Sequence, residues 1–218
     1  MPLVFYLAAA TTLQSSNYNS NLKNIYTMTI QEWKADASKI FYSVLASYVL
    51  SFFSSIIAAV AILHTLSGGT PWYAIVFPLL VVAAFVFYFL GVSGMAKKLT
   101  GVDQQSFMKI RTAIILNIVA TLCSLIPVAG SIIALILNII AFIFLLQAYS
   151  ALKASPTFPV KARSGASLLF TATILNLIGV ILAIIPLIGI IGSLLNLVAD
   201  ILIIIGWYKV MSADPAEV

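Results

Sequence analysis

The chain is organised in long hydrophobic blocks that are separated by short polar connectors. Residues 40–96 and 112–152 contain no charged side chain, and residues 164–208 contain one, Asp200. One helical crossing of a bilayer takes about 20 apolar residues, so each block is long enough to cross twice. The pattern therefore predicts three helical hairpins, which together make an all-α integral membrane bundle of six transmembrane helices.

The basic residues predict an orientation for these spans. All 11 Lys and Arg residues fall at the edges of the blocks or between them, and every second connector lacks them. Connectors rich in Lys and Arg remain on the cytoplasmic side of a membrane. We therefore expect a multi-pass protein of a prokaryotic cell (inner) membrane with both termini in the cytoplasm. The outward turns would lie at 67–71, 127–130 and 186–189.

The predicted boundaries divide the chain into three parts. A cytoplasmic N-terminal arm with an interfacial helix covers residues 1–38, the membrane domain covers 39–211, and a cytoplasmic tail covers 212–218. The predicted hairpins are 40–96, 106–152 and 164–209. Their spans are predicted at 40–63, 72–95, 106–126, 131–152, 165–185 and 190–209.

Two local signals refine the span ends. Residues 29–32 (Thr-Ile-Gln-Glu) have the order of a capping box, which begins a helix. Trp33 follows this motif and is expected at headgroup depth, and Trp207 and Tyr208 are expected in an aromatic belt. Met28, just before the motif, is an alternative functional start, so the arm is either a docking segment or a dispensable extension.

The second and third hairpins look like copies of one another. The segment 112–117 (TAIILN) matches 171–176 (TATILN) at an offset of 59 residues, and Asn138 matches Asn196 at an offset of 58. A unit with two spans repeats in the same orientation across the membrane, unlike the inverted repeats of many transporters. The sequence thus predicts an internal parallel repeat.

Four asparagines are predicted near the middle of the membrane. Asn117, Asn138, Asn176 and Asn196 each lie 10 or 11 residues from the proline of the nearest outward turn. At the rise of an α-helix this places them about 15 Å below the turn, at the midplane of the bilayer. Small residues continue the same stripes, which favours hydrogen-bonded helix packing within each hairpin. A polar site for a solute or ion is the alternative.

Asp200 is the one carboxylate within a predicted span, one helical turn from Asn196. An intramembrane acid is a candidate for ion or proton handling. It could instead pair with Lys109, with Arg111 or with a cation on another subunit. The equivalent position in the preceding hairpin is Phe142, which favours structural pairing.

The first hairpin carries a different pattern of small polar residues. Its first span has serines at strict four-residue spacing, a helix-packing or partner-docking face formed by Ser43, Ser47, Ser51 and Ser55. Small residues at this spacing let helix backbones approach closely. Cys123 and His64 are isolated, so neither predicts a metal site.

Composition excludes several classes of function. The chain is 62% hydrophobic and 8% charged, far from a soluble domain, in which about a quarter of the residues carry charge. Its net charge of +5 is therefore assigned to anionic lipid headgroups, with no nucleic-acid partner expected. Catalytic sets, cofactor motifs and metal-ligand clusters are not recognisable, so we expect no enzyme activity, no cofactor and no metal.

Two functions remain open from the sequence. The leading interpretation is a non-enzymatic structural or accessory subunit of a larger membrane assembly, bound to other membrane subunits or to copies of itself. The alternative is a small transporter or channel that uses Asp200 and the midplane asparagines. A transporter should have a water-accessible cavity reaching Asp200, whereas an accessory subunit should pack Asp200 against protein. The chain resembles the broad group of small prokaryotic hairpin-repeat membrane proteins, which carries over no residue roles.

Overall fold

The computed structural model describes the backbone of residues 29–66, 73–124, 126, 129–183, 185 and 188–218. The described residues form helices and no strand: α1 (Ile30–Leu66), α2 (Tyr73–Lys98), α3 (Gly101–Cys123), α4 (Ala129–Ala154), α5 (Val160–Ala183) and α6 (Gly189–Met211). Predictions that concern residues 1–28, most of the three turns, or the side chains of Ser55 and His64 lie outside this description.

The helices have the length and composition of membrane spans. Among the described residues, five segments are long and apolar enough to cross a bilayer, and they lie within α2 to α6. Large apolar side chains cover their outer surfaces, as at Leu79, Leu122 and Ile190. An all-helical chain with several such segments is a multi-pass membrane protein, as the hydrophobic blocks predict.

The six helices form a closed ring. Each described helix contacts the one before it and the one after it, and α6 also contacts α1. The contacts are most extensive within α1–α2, α3–α4 and α5–α6, the three pairs that the hydrophobic blocks define. Contacts between one pair and the next are sparser, so the ring consists of three tight pairs joined by looser seams.

One end of the ring carries the lysines and is called the basic end here. Side-chain bonds join neighbouring helices there: Lys98 to Asp36, Lys109 to Gln147, and Lys209 to Ser164. Asp36 is almost fully buried and also binds Lys39, at 3.0 Å. A buried carboxylate between two ammonium groups holds α1 against the end of α2.

The basic end is filled by an aromatic core. The rings of Trp33, Phe158, Phe107 and Trp207 follow one another in contact, with centroids 5.7 to 6.5 Å apart. All four side chains are buried, and the Trp33 indole donates a 2.9 Å hydrogen bond to the Val210 carbonyl. Tryptophan buries well where its N–H finds an acceptor. Trp33 and Trp207 are thus buried in protein, whereas Tyr208 is half exposed. Their predicted depths in the membrane stay predictions.

The capping box at the start of α1 is confirmed. The Thr29 hydroxyl accepts from the Glu32 backbone, and the Thr29 backbone donates to the Glu32 carboxylate. The backbone N–H and the hydroxyl of Thr29 both donate to the Glu32 carboxylate, and they lower the pKa of Glu32 because they stabilise its charged form. The helix that begins here continues without a break for 37 residues to Leu66. Residues 30–38 are thus the first turns of α1 rather than a separate interfacial helix.

The connector between α2 and α3, at the basic end, is shorter than predicted. Only Leu99 and Thr100 separate the helices, and Gly101 adopts a φ of 58°, which glycine tolerates without strain. Asp103, in the first turn of α3, is buried and accepts a hydrogen bond from Thr157 in the next connector. This bond explains why α3 begins at 101 instead of 106: its polar first turn docks on protein.

Candidate functional site

A cavity of about 900 Å³ occupies the middle of the ring. Every one of the six helices contributes to its wall, for example Val44 from α1, Phe85 from α2 and Ile203 from α6. Along α4 the lining runs from Tyr149 to Leu135, about 21 Å at the helical rise. The seams between helix pairs have fewer contacts than the pairs themselves, and the cavity lies among all three pairs.

Tyrosine hydroxyls and one tryptophan form the floor of the cavity. Tyr88 and Tyr149 lie next to each other, and both rings pack against Trp207 in edge-to-face geometry, at centroid distances of 6.1 and 6.3 Å. Tyr48 completes the floor from α1. Because Trp207 also belongs to the aromatic core, the cavity is closed toward the basic end.

The wall above the floor is apolar with a few amides. Asn117, Asn138 and Asn176 line the cavity, as does the Thr173 hydroxyl, which donates to the Leu169 carbonyl within its own helix. The described lining contains no charged side chain. Three of the four predicted midplane asparagines thus meet one common space, and they come from three different helices.

Asn196, the fourth midplane asparagine, does not line the cavity. Its side-chain oxygen lies in the seam between α5 and α6, against the place where a Cβ on Gly179 would stand. Among the described residues this buried oxygen has no hydrogen-bond partner. The predicted bond between Asn176 and Asn196 is therefore not formed, since one amide faces the cavity and the other faces a glycine.

Asp200 lies beside a tyrosine rather than beside a basic residue. The Tyr48 side chain of α1 is next to its carboxylate, across the sparsest seam of the ring. Lys109, one of the two predicted partners, binds Gln147 instead. Asp200 is half-buried and is not part of the described cavity lining, whereas Tyr48 is. The cavity thus reaches the tyrosine that neighbours the carboxylate.

The serine stripe of α1 is used within its own helix. The Ser43 hydroxyl donates to the Lys39 carbonyl, and Ser47 donates to the Ser43 carbonyl at 2.8 Å. Ser47 lines the central cavity and Ser43 lines a separate groove on the outer surface. Ser51 is exposed. The described serines thus follow the junction of α1 with its neighbours, and the partner-docking role stays a prediction.

Sequence reasoning missed the three floor tyrosines. Tyr48, Tyr88 and Tyr149 each lie at some distance from the ends of the hydrophobic blocks or beside another aromatic residue, so each looks like an ordinary core or belt position. A usable signal was the depth of two of them: Tyr48 lies nine residues after Lys39, and Tyr88 lies nine residues before Lys97. Equal depth on neighbouring spans would bring these two side chains together, whereas Tyr149 lies only four residues from Lys153 and gave no such signal.

No protein-family model, curated protein or solved structure matches this chain. The fold and the cavity define a polytopic helical membrane protein, and within the described residues no group of His, Cys, Asp or Glu has the arrangement of a metal site.

Proposed function

We propose that this protein is a non-enzymatic membrane carrier that holds a neutral, mainly apolar solute in its central cavity. The observation that carries the proposal is the 900 Å³ cavity walled by all six helices. Small-molecule sites have this size and are mostly apolar with a few polar groups that fix orientation. The proposal develops the transporter alternative and replaces an ion with a neutral solute, because the described lining lacks a charge that could compensate one.

We also propose the number, pairing and orientation of the membrane spans. The ring would consist of six spans in three hairpins, with the second and third derived from one duplicated hairpin. The basic end would face the cytoplasm of a cell (inner) membrane. The solute would enter from the side of the outward turns, because the aromatic core closes the cavity toward the basic end.

Water access to the cavity is the direct test of the carrier. Single cysteines replace Asn117, Asn138 or Asn176 in a Cys123→Ala background, and their rates of reaction with N-ethylmaleimide are compared. Ile118→Cys and Ile140→Cys serve as controls, because these exposed side chains are outside the described lining at similar depth. We expect the cavity cysteines to react roughly tenfold faster or more, since thiols react as hydrated thiolates. Equal rates at cavity and control positions would contradict the carrier.

Orientation is tested with cysteines at the two ends of one helix. Ala129 and Ala154 are both exposed and lie at the first and last positions of α4. With an impermeant thiol reagent added to intact cells, we expect labelling of Ala129→Cys and protection of Ala154→Cys, following the one-sided placement of Lys and Arg. The reverse pattern would invert the proposed orientation.

An accessory subunit of a membrane assembly remains the second candidate, favoured by Asp200. Its carboxylate lies beside Tyr48, and the described cavity lining does not include it, the arrangement expected of a packed structural acid. Anionic lipids, other membrane subunits or copies of the chain would be the partners. Purification in a mild detergent tests this candidate: a co-migrating protein retained by wild type and lost by Asp200→Leu would support it over the carrier.

A further inference from the structure

A second, smaller cavity lies outside the ring, in the groove between α1 and α2. Its volume is about 450 Å³. Ser43 and Ala84 are buried and form its floor, while Tyr42, Leu80 and Phe87 are exposed and form its rims. The groove does not connect with the central cavity through any shared lining residue. It therefore opens toward the hydrocarbon of the surrounding bilayer.

The length of the groove matches one leaflet. Its lining on α1 runs from Ser38 to Leu50, which is about 18 Å at the helical rise. Half of a hydrocarbon core of about 30 Å is about 15 Å. A single acyl chain lying along α1 from the membrane surface to the midplane would fill the groove from end to end.

The mouth of the groove is cationic. Lys39 lines it and keeps 45% of its side chain exposed, although it binds Asp36. Three donors on an ammonium group leave Lys39 able to bind a second acceptor. Lys34 is exposed one helical turn before Ser38, on the line that continues through Tyr42 and along the groove. Two ammonium groups and the Ser38 hydroxyl thus lie near the headgroup level.

We propose that this groove is a binding site for one anionic glycerophospholipid from the leaflet at the basic end. The phosphate would lie between Lys34 and Lys39, and one acyl chain would lie along Tyr42, Ala46 and Leu50. Asp36 does not oppose the phosphate strongly, because Lys39 and Lys98 both bind it. The site is independent of the central cavity, so it holds whether or not the chain is a carrier.

Lipid retention measured by native mass spectrometry tests the site. Detergent-purified protein is titrated with phosphatidylglycerol or with phosphatidylcholine of identical acyl chains, and the one-lipid complex is quantified. We expect phosphatidylglycerol to be retained preferentially, and Lys34→Gln to weaken its apparent affinity about fivefold, as expected for one lysine at an anionic surface. Lys161→Gln is the charge-matched control, because Lys161 is an exposed residue in the first turn of α5.

Chain binding is tested separately from charge. Ala46→Phe places a ring in the groove and should abolish retention of the lipid, whereas Ala183→Phe, on the exposed surface of α5, should not. Glycerol 3-phosphate at millimolar concentration should fail to displace the lipid, because it has no acyl chain. Equal retention of both lipids, equal effects of Lys34→Gln and Lys161→Gln, or displacement by glycerol 3-phosphate would each overturn the proposal. Unchanged thermal unfolding of each variant excludes misfolding as the cause of a loss.

Discussion

The pairs α3–α4 and α5–α6 share a sequence pattern but use their asparagines differently. By the offsets of 59 and 58 residues, Ala120 corresponds to Gly179 and Asn138 to Asn196. Asn138 lines the cavity, whereas Asn196 lies in its own seam over Gly179. Ala120 is buried and carries a Cβ where α5 has Gly179. We expect this one methyl group to decide whether the asparagine faces the cavity or the helix seam.

The same difference sets how closely the helices approach. In α5–α6 a Cβ built on Gly192 would lie 2.5 Å from the Gly179 carbonyl oxygen and 2.7 Å from the Ala183 nitrogen. The corresponding position in α3–α4 is Ala134, which is buried and carries its methyl group. Glycines thus allow backbone-to-backbone contact in the third pair, and we expect the alanines of the second pair to hold its helices farther apart.

The largest expected effect is on the stability of the tighter pair. Gly192→Ala should lower the free energy of unfolding by about 1–3 kcal/mol, because the new methyl meets backbone atoms that can move only if the helices separate. Ala134→Gly in the other pair should cost about 1 kcal/mol or less, the usual penalty of glycine in a helix. Unfolding in detergent measures both. An unchanged free energy of unfolding in Gly192→Ala would mean that the two backbones are farther apart than in the structure.

A smaller effect is expected on the orientation of the two asparagine side chains, which the residues at 179 and 120 should control. Gly179→Ala should push the side chain at 196 out of the seam, and Ala120→Gly should admit the side chain at 138 into it. With Asn196→Cys or Asn138→Cys as reporter in a Cys123→Ala background, the first change should raise the rate of reaction with N-ethylmaleimide and the second should lower it. Opposite signs are the essential result. Changes of the same sign in both pairs would show that the methyl group does not control the orientation.

The smallest expected effect is the energetic coupling of the asparagines. The structure shows no bond between Asn176 and Asn196, so the losses of stability caused by Asn176→Ala and Asn196→Ala should add within about 0.5 kcal/mol. A hydrogen-bonded pair in a membrane would couple by about 0.6 kcal/mol on average and up to about 1.7. One double-mutant cycle measures the coupling of Asn176 with Asn196, and a second cycle on Asn117 and Asn138 gives the value for the other pair. Coupling above 1 kcal/mol in α5–α6 would place the two amides in contact.

The hydrophobic pattern predicted the elements of this fold well, because burial in a bilayer leaves few alternatives to apolar helices. The apolar pairs, the capping box at Thr29 and the common depth of the asparagines all follow from spacing along the chain. The closure of the ring could not be predicted from the sequence, because no residue pattern specifies that α6 packs against α1. The short connector at Leu99 was missed because the polar first turn of α3 docks on Thr157, a contact distant in sequence.

The candidate site was only partly predictable for a related reason. Spacing placed Asn117, Asn138 and Asn176 at one depth, and the structure gives them one cavity. Spacing also suggested Asn176 as the partner of Asn196, and Lys109 or Arg111 as a partner of Asp200. The structure shows no bond between the two amides, and Lys109 binds Gln147 instead. Helical periodicity gives the direction of a side chain to within a helix face, whereas these contacts depend on the absence of one methyl group and on the placement of Tyr48 from the opposite end of the chain.

The closure of the ring makes the packing of the helix pairs independent of which pair comes first in the polypeptide. The start of α1 and the end of α6 lie side by side, joined by the bond from Trp33 to Val210. A circular permutant that begins after Thr100, with the end of α6 linked to the start of α1, would keep the contacts between helices. The first pair could therefore move to the end of the gene while the cyclic order of the pairs, and with it the ring, stayed the same.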